Sequence, residues 1–412
     1  MTEFFDALET RSADQRAADL ATALPAQIAH AKANAPYYGK MLADIDPAAI
    51  DTAAALTALP VTRKSDLIAQ QAENPPFGGL NATPARDLLR VFLSPGPIAD
   101  PEGRGRDWWG MGRGMFAAGF RKGDVAHNCF SYHHTPAGMM MEVGAQAVGC
   151  TVYPGGVGAT EQQVQAMAYF QADGYIGTPD FLGKILERAD EMGIALPSLK
   201  KAFVGGGALF PSMRDAYQAR GIATLQSYGT ADLGMVAYET SAMEGMVVDE
   251  RVVVEILRPG TGDPVGEGEV GEVVVTTFNA DYPLIRFATG DMSAVLSGTS
   301  PCGRTNIRIK GWMGRADQRT KVKGMFVDPA QVDRVAKAHS EIAKIRVEVT
   351  LVDNSDVMVV KVEADGVGDG FADAVGDTVQ RELKLRGKIV LAAPGSLPND
   401  GKVIDDQREY DV

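Results

Sequence analysis

The stretch AVGCTVYPGGVGATEQQVQAMAYFQADGYIGTPDFLGKILERADEMGIALPSLKKAFVGGGALFPSMRDAYQARG, residues 147–221, decides the fold. AVGCTVYPGG reads as a strand and turn, EQQVQAMAYFQ as a helix, GYIGTP as a strand and turn, and DFLGKILERADEMGI as a helix. LKKAFVGGGA then reads as a strand running into a glycine-rich loop, and PSMRDAYQARG as a helix. Strands alternating with helices need crossover connections, so this region predicts a largely parallel sheet with helices packed on it.

Residues 1–60 read as helices, because Leu8, Leu20, Leu24, Ile28 and Ala31 recur near the helical period. TRKSDLIAQQ predicts a further helix, opened at Thr62 or Ser65 as N-cap. From about 248 to 298 the pattern changes to short antiparallel strands, in VVDERVVVEILRP, GEVGEVVVTTF and MSAVLSG. The tail changes again. FVDPAQVDRVAKAHS predicts a helix with Pro329 in its first turn, followed by strands IRVEVTLV and DVMVVKVEA, helix FADAVGDTVQRELKL and strand KIVLAA. The expected fold is α/β: a large N-terminal domain of mixed and parallel sheets with flanking helices, residues 1–316, and a small α+β C-terminal lobe, residues 317–412.

The net charge of −13 argues against a nucleic-acid partner or an anionic membrane surface, and says nothing against a local phosphate site. Three scattered cysteines, Cys129, Cys150 and Cys302, are too few for a disulfide framework, so a reducing cytoplasm is the expected location. No run approaches the roughly 20 apolar residues that span a bilayer, and the start lacks a basic segment followed by an apolar one.

Four segments carry candidate chemistry. SYGTADLG places Tyr228, Gly229, Thr230 and Asp232 within five positions, enough to line a nucleotide pocket with Asp232 on Mg²⁺; a polar turn after a strand would look the same. YPLIRFATGDMSAV puts Asp291 after a turn glycine, suited to two ribose hydroxyls, with Arg286 as a nearby cation; a hairpin with a solvated Asp is the alternative. GWMGRADQRTKVKGMFVDP lies where the sheet pattern stops and suits either a joint between rotating lobes or an ordinary linker. GSLPNDGKVIDDQR offers Lys402 after a turn, able to swing toward developing negative charge or simply to stay solvated.

Taken in order, GCTVYPGG, GTPDFL, VGGGALFP, YGTAD, RFATGD, GRADQRTKVKGMFVDP and LPNDGK resemble the blocks of the acyl-adenylate-forming superfamily, in its phenylacetate–coenzyme A ligase-like branch. The resemblance runs from LPVTRKSDL near residue 59 to residue 402. It implies activation of a small acid, aromatic by the branch's default, as an acyl adenylate, with ATP, Mg²⁺ and coenzyme A as cofactors and a homodimer as the analogous oligomer. It further implies that Gly205, Gly206, Gly207 and Ala208 pack on adenine and Tyr228 stacks on it. Thr230 falls at a variable position of that loop, Asp232 on the magnesium carboxylate, Asp291 on the ribose carboxylate and Arg315 on the arginine that reaches the nucleotide. Asp317 matches the hinge, and Lys402 the lysine that bridges acid and α-phosphate.

The sequence also departs from that pattern. VFLSPGPIADPEGRGRDWW, residues 91–109, keeps Ser94 and Gly96 but lacks the Thr-Thr-Gly-Lys core of the phosphate loop, and its prolines remove backbone N–H groups. Arg104 and Arg106 are candidate replacements for the lost lysine. HNCFSYHHTPAGMMMEVGAQAVG matches the acid-site segment but carries Tyr132, His133, His134 and Thr135, which predicts a more polar pocket or else a surface turn. Met139, Met140 and Met141 read as core or pocket wall. SPCGRTN holds Cys302 alone where relatives carry several cysteines, so no zinc is expected. An amine or carrier-protein acceptor, or a non-catalytic binder of the same fold, are the competing readings. A dinucleotide oxidoreductase is not supported, since GGGALF supplies no G-x-G-x-x-G.

Overall fold

The computed structural model describes residues 3–94, 97–207, 209–314, 316, 320–323, 325–352, 355–398 and 402–408. The crossover region folds as its pattern predicts. Strands Thr151–Pro154, Gly174–Gly177 and Lys201–Val204 alternate with helices Thr160–Phe170, Pro179–Met192 and Pro211–Ala219. They belong to a nine-stranded sheet that runs, from one edge, through Thr151–Pro154, Val125–Asn128, Gly174–Gly177, Lys201–Val204 and Ala223–Thr230. These strands pair in parallel. The sheet continues through Gly234–Tyr238, Met246–Val248, Arg308–Ile309 and Val295–Leu296, all paired antiparallel.

Alternation along the strands builds two cores. Tyr175, Ala202 and Val204 pack with helices Thr160–Phe170 and Pro179–Met192 on one face of the sheet. Ile176 and Phe203, their neighbours in sequence, pack on the other face with helices Met111–Ala117 and Ala137–Val148. Met140 and Met141 are buried in that second core, with Met139 against it.

The N-terminal region is helical, chiefly in Ala13–Asn34, whose Leu24, Ile28 and Ala31 are buried. The cap expected at Thr62 or Ser65 does not form. Thr62 pairs with Phe287 in a short parallel strand pair, and helix Leu67–Glu73 follows a 3₁₀ turn at Lys64–Asp66 without a side-chain cap. Backbone pairing to a distant strand overrides the local capping preference of Thr. A separate hairpin joins Arg90–Ser94 to Ile98–Glu102. Among the described residues, no helix is long and apolar enough to cross a membrane.

Two compact units divide the chain. One holds Met1–Glu255, Val274–Thr289 and Val295–Trp312; the other holds Ile256–Val273, Gly290–Ala294 and Met313–Val412. In the second unit, strands Ile342–Val352 and Ser355–Ala364 are flanked by Ile404–Asp406 and Lys388–Ala392. Helices Pro329–Lys337 and Phe371–Leu383 cover them around Val332, Val347, Val360 and Val379.

Candidate active site

In an open parallel sheet, ligands bind outside the carboxyl ends of the strands. Here those ends collect the sequence's candidate residues. Gly205–Gly207 follow strand Lys201–Val204, and Tyr228, Gly229 and Thr230 close strand Ala223–Thr230, with Asp232 in the next turn. Tyr132–Thr135 follow strand Val125–Asn128. A Cβ on Gly205 would come within 2.8 Å of Ser227 Oγ, and one on Gly206 (φ 68°) within 3.4 Å of the Phe130 ring. These glycines let the neighbouring loops approach. Gly229 has a similar cause: a Cβ there would sit 2.5 Å from the Gly234 carbonyl oxygen, inside the tight turn that carries Asp232.

Tyr228 is buried, and its hydroxyl donates to Thr289 Oγ1 at 3.1 Å. The Thr230 hydroxyl accepts from the Leu233 N–H. Tyr132 receives a hydrogen bond from Asn128 Nδ2 at 2.7 Å and donates to Glu142 at 2.9 Å. Burial, and then the Glu142 carboxylate, raise its pKa. His133 and His134 are exposed on the turn, the latter at φ 64°, and the His134 carbonyl accepts from Leu93 N. That contact brings the Arg90–Ser94 hairpin to the same end of the sheet.

Ser94 pairs with Ile98, and the Ser94 hydroxyl donates to the Ile98 carbonyl; Pro95 and Gly96 lie outside the described residues. In the sequence, Pro95 and Pro97 have no N–H to offer a phosphate. Arg104 and Arg106 do not compensate, because they donate to the carbonyls of Asp87, Leu88 and Ala147. Arg106 also borders a cleft of about 250 Å³ walled by Trp108, Trp109, Arg251 and Asp281.

Three residues that sequence reasoning passed over stand at the site instead. Lys64 Nζ donates to Asp232 Oδ2 at 2.5 Å. Asp100, on the returning strand of the hairpin, is 1% exposed, and burial together with the Asp232 charge raises its pKa. Tyr282 is equally buried, within electrostatic reach of both carboxylates. The one available signal was a carboxylate placed in the short strand IADPE.

Arg286 does not supply a nucleotide cation. It is 1% exposed, donates through Nε and Nη2 to Glu255 at 3.0 and 2.9 Å, and donates to the Leu59 carbonyl. Asp291 is buried in strand Phe287–Ser293, within the second unit, where Met292 N donates to Gly314 O and Ala316 N donates to Gly290 O. Lys402 forms an ion pair with Asp405 at 2.6 Å, and Asp405 also pairs with Arg346 at 2.8 Å. Although burial opposes it, Lys402, Gln407 and Arg346 hold Asp405 down at about 2. Ala208, Arg315 and Asp317 lie outside the described residues.

A parallel sheet with a glycine-rich loop, an aromatic and a carboxylate at its carboxyl end makes this an α/β protein with a candidate ligand site at its strand ends. The AMP-binding enzyme family matches residues 106–279. Phenylacetate–coenzyme A ligase of Aromatoleum evansii is 30% identical over 374 residues, 86% of this chain and 83% of the relative. The Escherichia coli K12 enzyme of the same name is 29% identical over 379 residues, 87% and 84% of the two chains. Among solved structures, 2-hydroxyisobutyryl-CoA ligase in complex with 2-HIB-AMP and CoA superposes with a TM-score of 0.72 at 25% identity, over 99% of this chain and 93% of the other. The chain belongs to the phenylacetate–coenzyme A ligase family of AMP-binding enzymes.

Proposed function

We propose that this protein activates a small carboxylic acid with ATP as an acyl adenylate and passes the acyl group to coenzyme A. Its relatives' names favour an aromatic acid. The observation that carries the reading is the meeting of Gly205–Gly207, Tyr228 and Asp232 at the carboxyl ends of the parallel strands, in a chain of this family.

In this reading the Gly205–Ala208 loop and Tyr228 hold adenine, Gly229 and Thr230 shape the turn, and Asp291 and Arg315 hold the ribose and phosphates. Tyr132–Thr135 border the acid, and Ser94 is what remains of the phosphate loop. The small lobe, residues 317–412, turns about Asp317 between the two half-reactions. Asp232 Oδ1 is buried without a hydrogen-bond partner among the described residues, which suits a Mg²⁺ ligand. Bound there, Mg²⁺ would neutralise phosphate charge. A carboxylate approaching ATP brings two anions together, and Lys402 would bridge them, an electrostatic effect typically worth a few kcal/mol. To do so it must leave Asp405, an exchange of one anionic partner for another. The reducing interior of the cell suits the three free cysteines.

The missing Thr-Thr-Gly-Lys core of the phosphate loop favours one second reading, a non-catalytic nucleotide or acyl binder. Pyrophosphate and AMP release, measured with Mg-ATP, coenzyme A and a panel of carboxylic acids, separates the two. Acid-dependent release in equal amounts establishes adenylation. No release, with no ATP binding by calorimetry, overturns it. Lys402→Ala should abolish adenylation while sparing thioester formation from a supplied acyl adenylate; loss of both would remove Lys402 from the first half-reaction alone.

A further inference from the structure

We propose that Asp100 and Asp232 together hold a divalent cation, magnesium by the chemistry of their oxygens, before any nucleotide arrives, with Lys64 as its built-in competitor. The proposal rests on the reading of Asp232 as the magnesium carboxylate and adds a second ligand to it. Asp100 is 1% exposed, and neither of its carboxylate oxygens has a hydrogen-bond partner among the described residues. Asp232 Oδ1 and the hydroxyl of Tyr282 are buried in the same condition. The polar groups around them are already engaged. The Ser94 hydroxyl donates to the Ile98 carbonyl, and the Gln71 amide clamps Ala99, donating to its carbonyl at 3.0 Å and accepting from its N–H at 2.8 Å.

The clamp also fixes the geometry. Gln71 stands at the far end of the short segment that begins with Lys64, so one segment touches both the strand of Asp100 and the carboxylate of Asp232. Lys64 Nζ donates to Asp232 Oδ2, while Oδ1 and both oxygens of Asp100 have no hydrogen-bond partner among the described residues. One lysine serves two buried carboxylates, so the second charge must be offset by a proton or by a cation, an isolated buried charge being strongly disfavoured. Unpaired carboxylate and hydroxyl oxygens are what a small hard cation accepts. Magnesium is commonly held by one or two carboxylates, with waters or substrate phosphates completing the shell, so a pair of aspartates is sufficient protein ligation. Asp100 lies on the hairpin strand Ile98–Glu102, and Pro95 and Pro97 just before it have no N–H. A cation held there would supply positive charge that those prolines cannot.

The test uses the whole chain without nucleotide, titrated with Mn²⁺ by electron paramagnetic resonance and competed with Mg²⁺. Wild type should bind about one Mn²⁺ per chain, displaced by Mg²⁺. Asp100→Asn and Asp232→Asn should each weaken binding by about tenfold or more, while Lys64→Met should tighten it several-fold by removing the competitor. Circular dichroism of each variant checks that it is folded, and the wild-type titration stands whether or not a variant folds. Absence of stoichiometric Mn²⁺ binding to wild type, or equal binding by Asp100→Asn, overturns the proposal. Acid-dependent AMP release is scored separately. Cation binding without turnover sinks the ligase reading alone, and turnover without nucleotide-free cation binding sinks this one alone.

Discussion

Arg286→Met is expected to cost about 3–5 kcal/mol of folding stability and to leave ATP affinity unchanged in the protein that remains folded. The guanidinium side chain is 1% exposed and its partner Glu255 9%. Methionine keeps most of the apolar stem, so little packing volume is lost and the charge is the main change. Burial already raises the Glu255 pKa, and Arg286 opposes that rise through two hydrogen bonds and its charge. Without Arg286 the carboxylate is left either charged and unpaired or protonated, and the Leu59 carbonyl loses a donor worth about 1 kcal/mol. Backbone strain does not enter, because arginine and methionine both carry a Cβ at φ 44°. Against a typical total of about 5–15 kcal/mol the loss is large. Urea unfolding followed by tryptophan fluorescence measures it, and Glu255→Leu in the same chain should recover part of it, since the pair is one interaction. Unfolding within about 1 kcal/mol of wild type, combined with lost ATP binding, would refute the reasoning and return Arg286 to the nucleotide.

Three further outcomes are expected. Tyr228→Phe removes only the hydroxyl bonded to Thr289 and should cost about 1 kcal/mol while leaving ATP affinity intact; Tyr228→Ala should weaken ATP binding, as calorimetry on both variants would show. Gly229→Ala places a methyl 2.5 Å from the Gly234 carbonyl oxygen, so it should lower stability by about 1–3 kcal/mol and weaken nucleotide binding by displacing Asp232, measured by thermal melting with and without Mg-ATP. His127 is 1% exposed, hydrogen-bonded to Gln163 and stacked on Tyr153, and burial lowers its pKa from 6.5 to about 4. The unfolded chain therefore takes up the proton first, so this stabilisation is complete above about pH 6.5 and is lost as the pH falls toward 4. Between about pH 7 and about pH 5, wild type should lose roughly 2 kcal/mol more than His127→Gln in urea titrations, and equal losses would contradict the assignment.

The alternating region was legible because each of its strands and helices is set by local periodicity, and the sheet needs only their order. The small-lobe elements were legible for the same reason. What local pattern could not show was pairing across long separations. Thr62 looked like a helix cap, but it hydrogen-bonds into the strand that begins at Phe287. Arg286 looked like a cation near the ribose carboxylate, yet its partner Glu255 lies 31 residues upstream, beyond the reach of local pattern. The motif does not state what the structure shows of two of its glycines: Ser227 leaves no room for a Cβ on Gly205, and the Gly234 carbonyl leaves none on Gly229.

Asp100 shows the same limit in a form that bears on mechanism. A carboxylate in IADPE is unremarkable until the strand is pinned by Gln71 against the segment of Lys64, with buried Tyr282 within electrostatic reach of Asp100. A phosphate loop neutralises its ligand with fixed backbone dipoles. In this chain Pro95 and Pro97, which have no N–H, precede strand Ile98–Glu102, and that strand carries the buried carboxylate of Asp100. Negative charge beside a phosphate site must be offset, by a proton or by a cation. In the proposed site a bound cation would supply the positive charge that those prolines cannot. Nucleotide affinity in such a site should depend on free magnesium more steeply than in a relative with an amide cradle, because the same ion would serve the protein's own carboxylates and the phosphates.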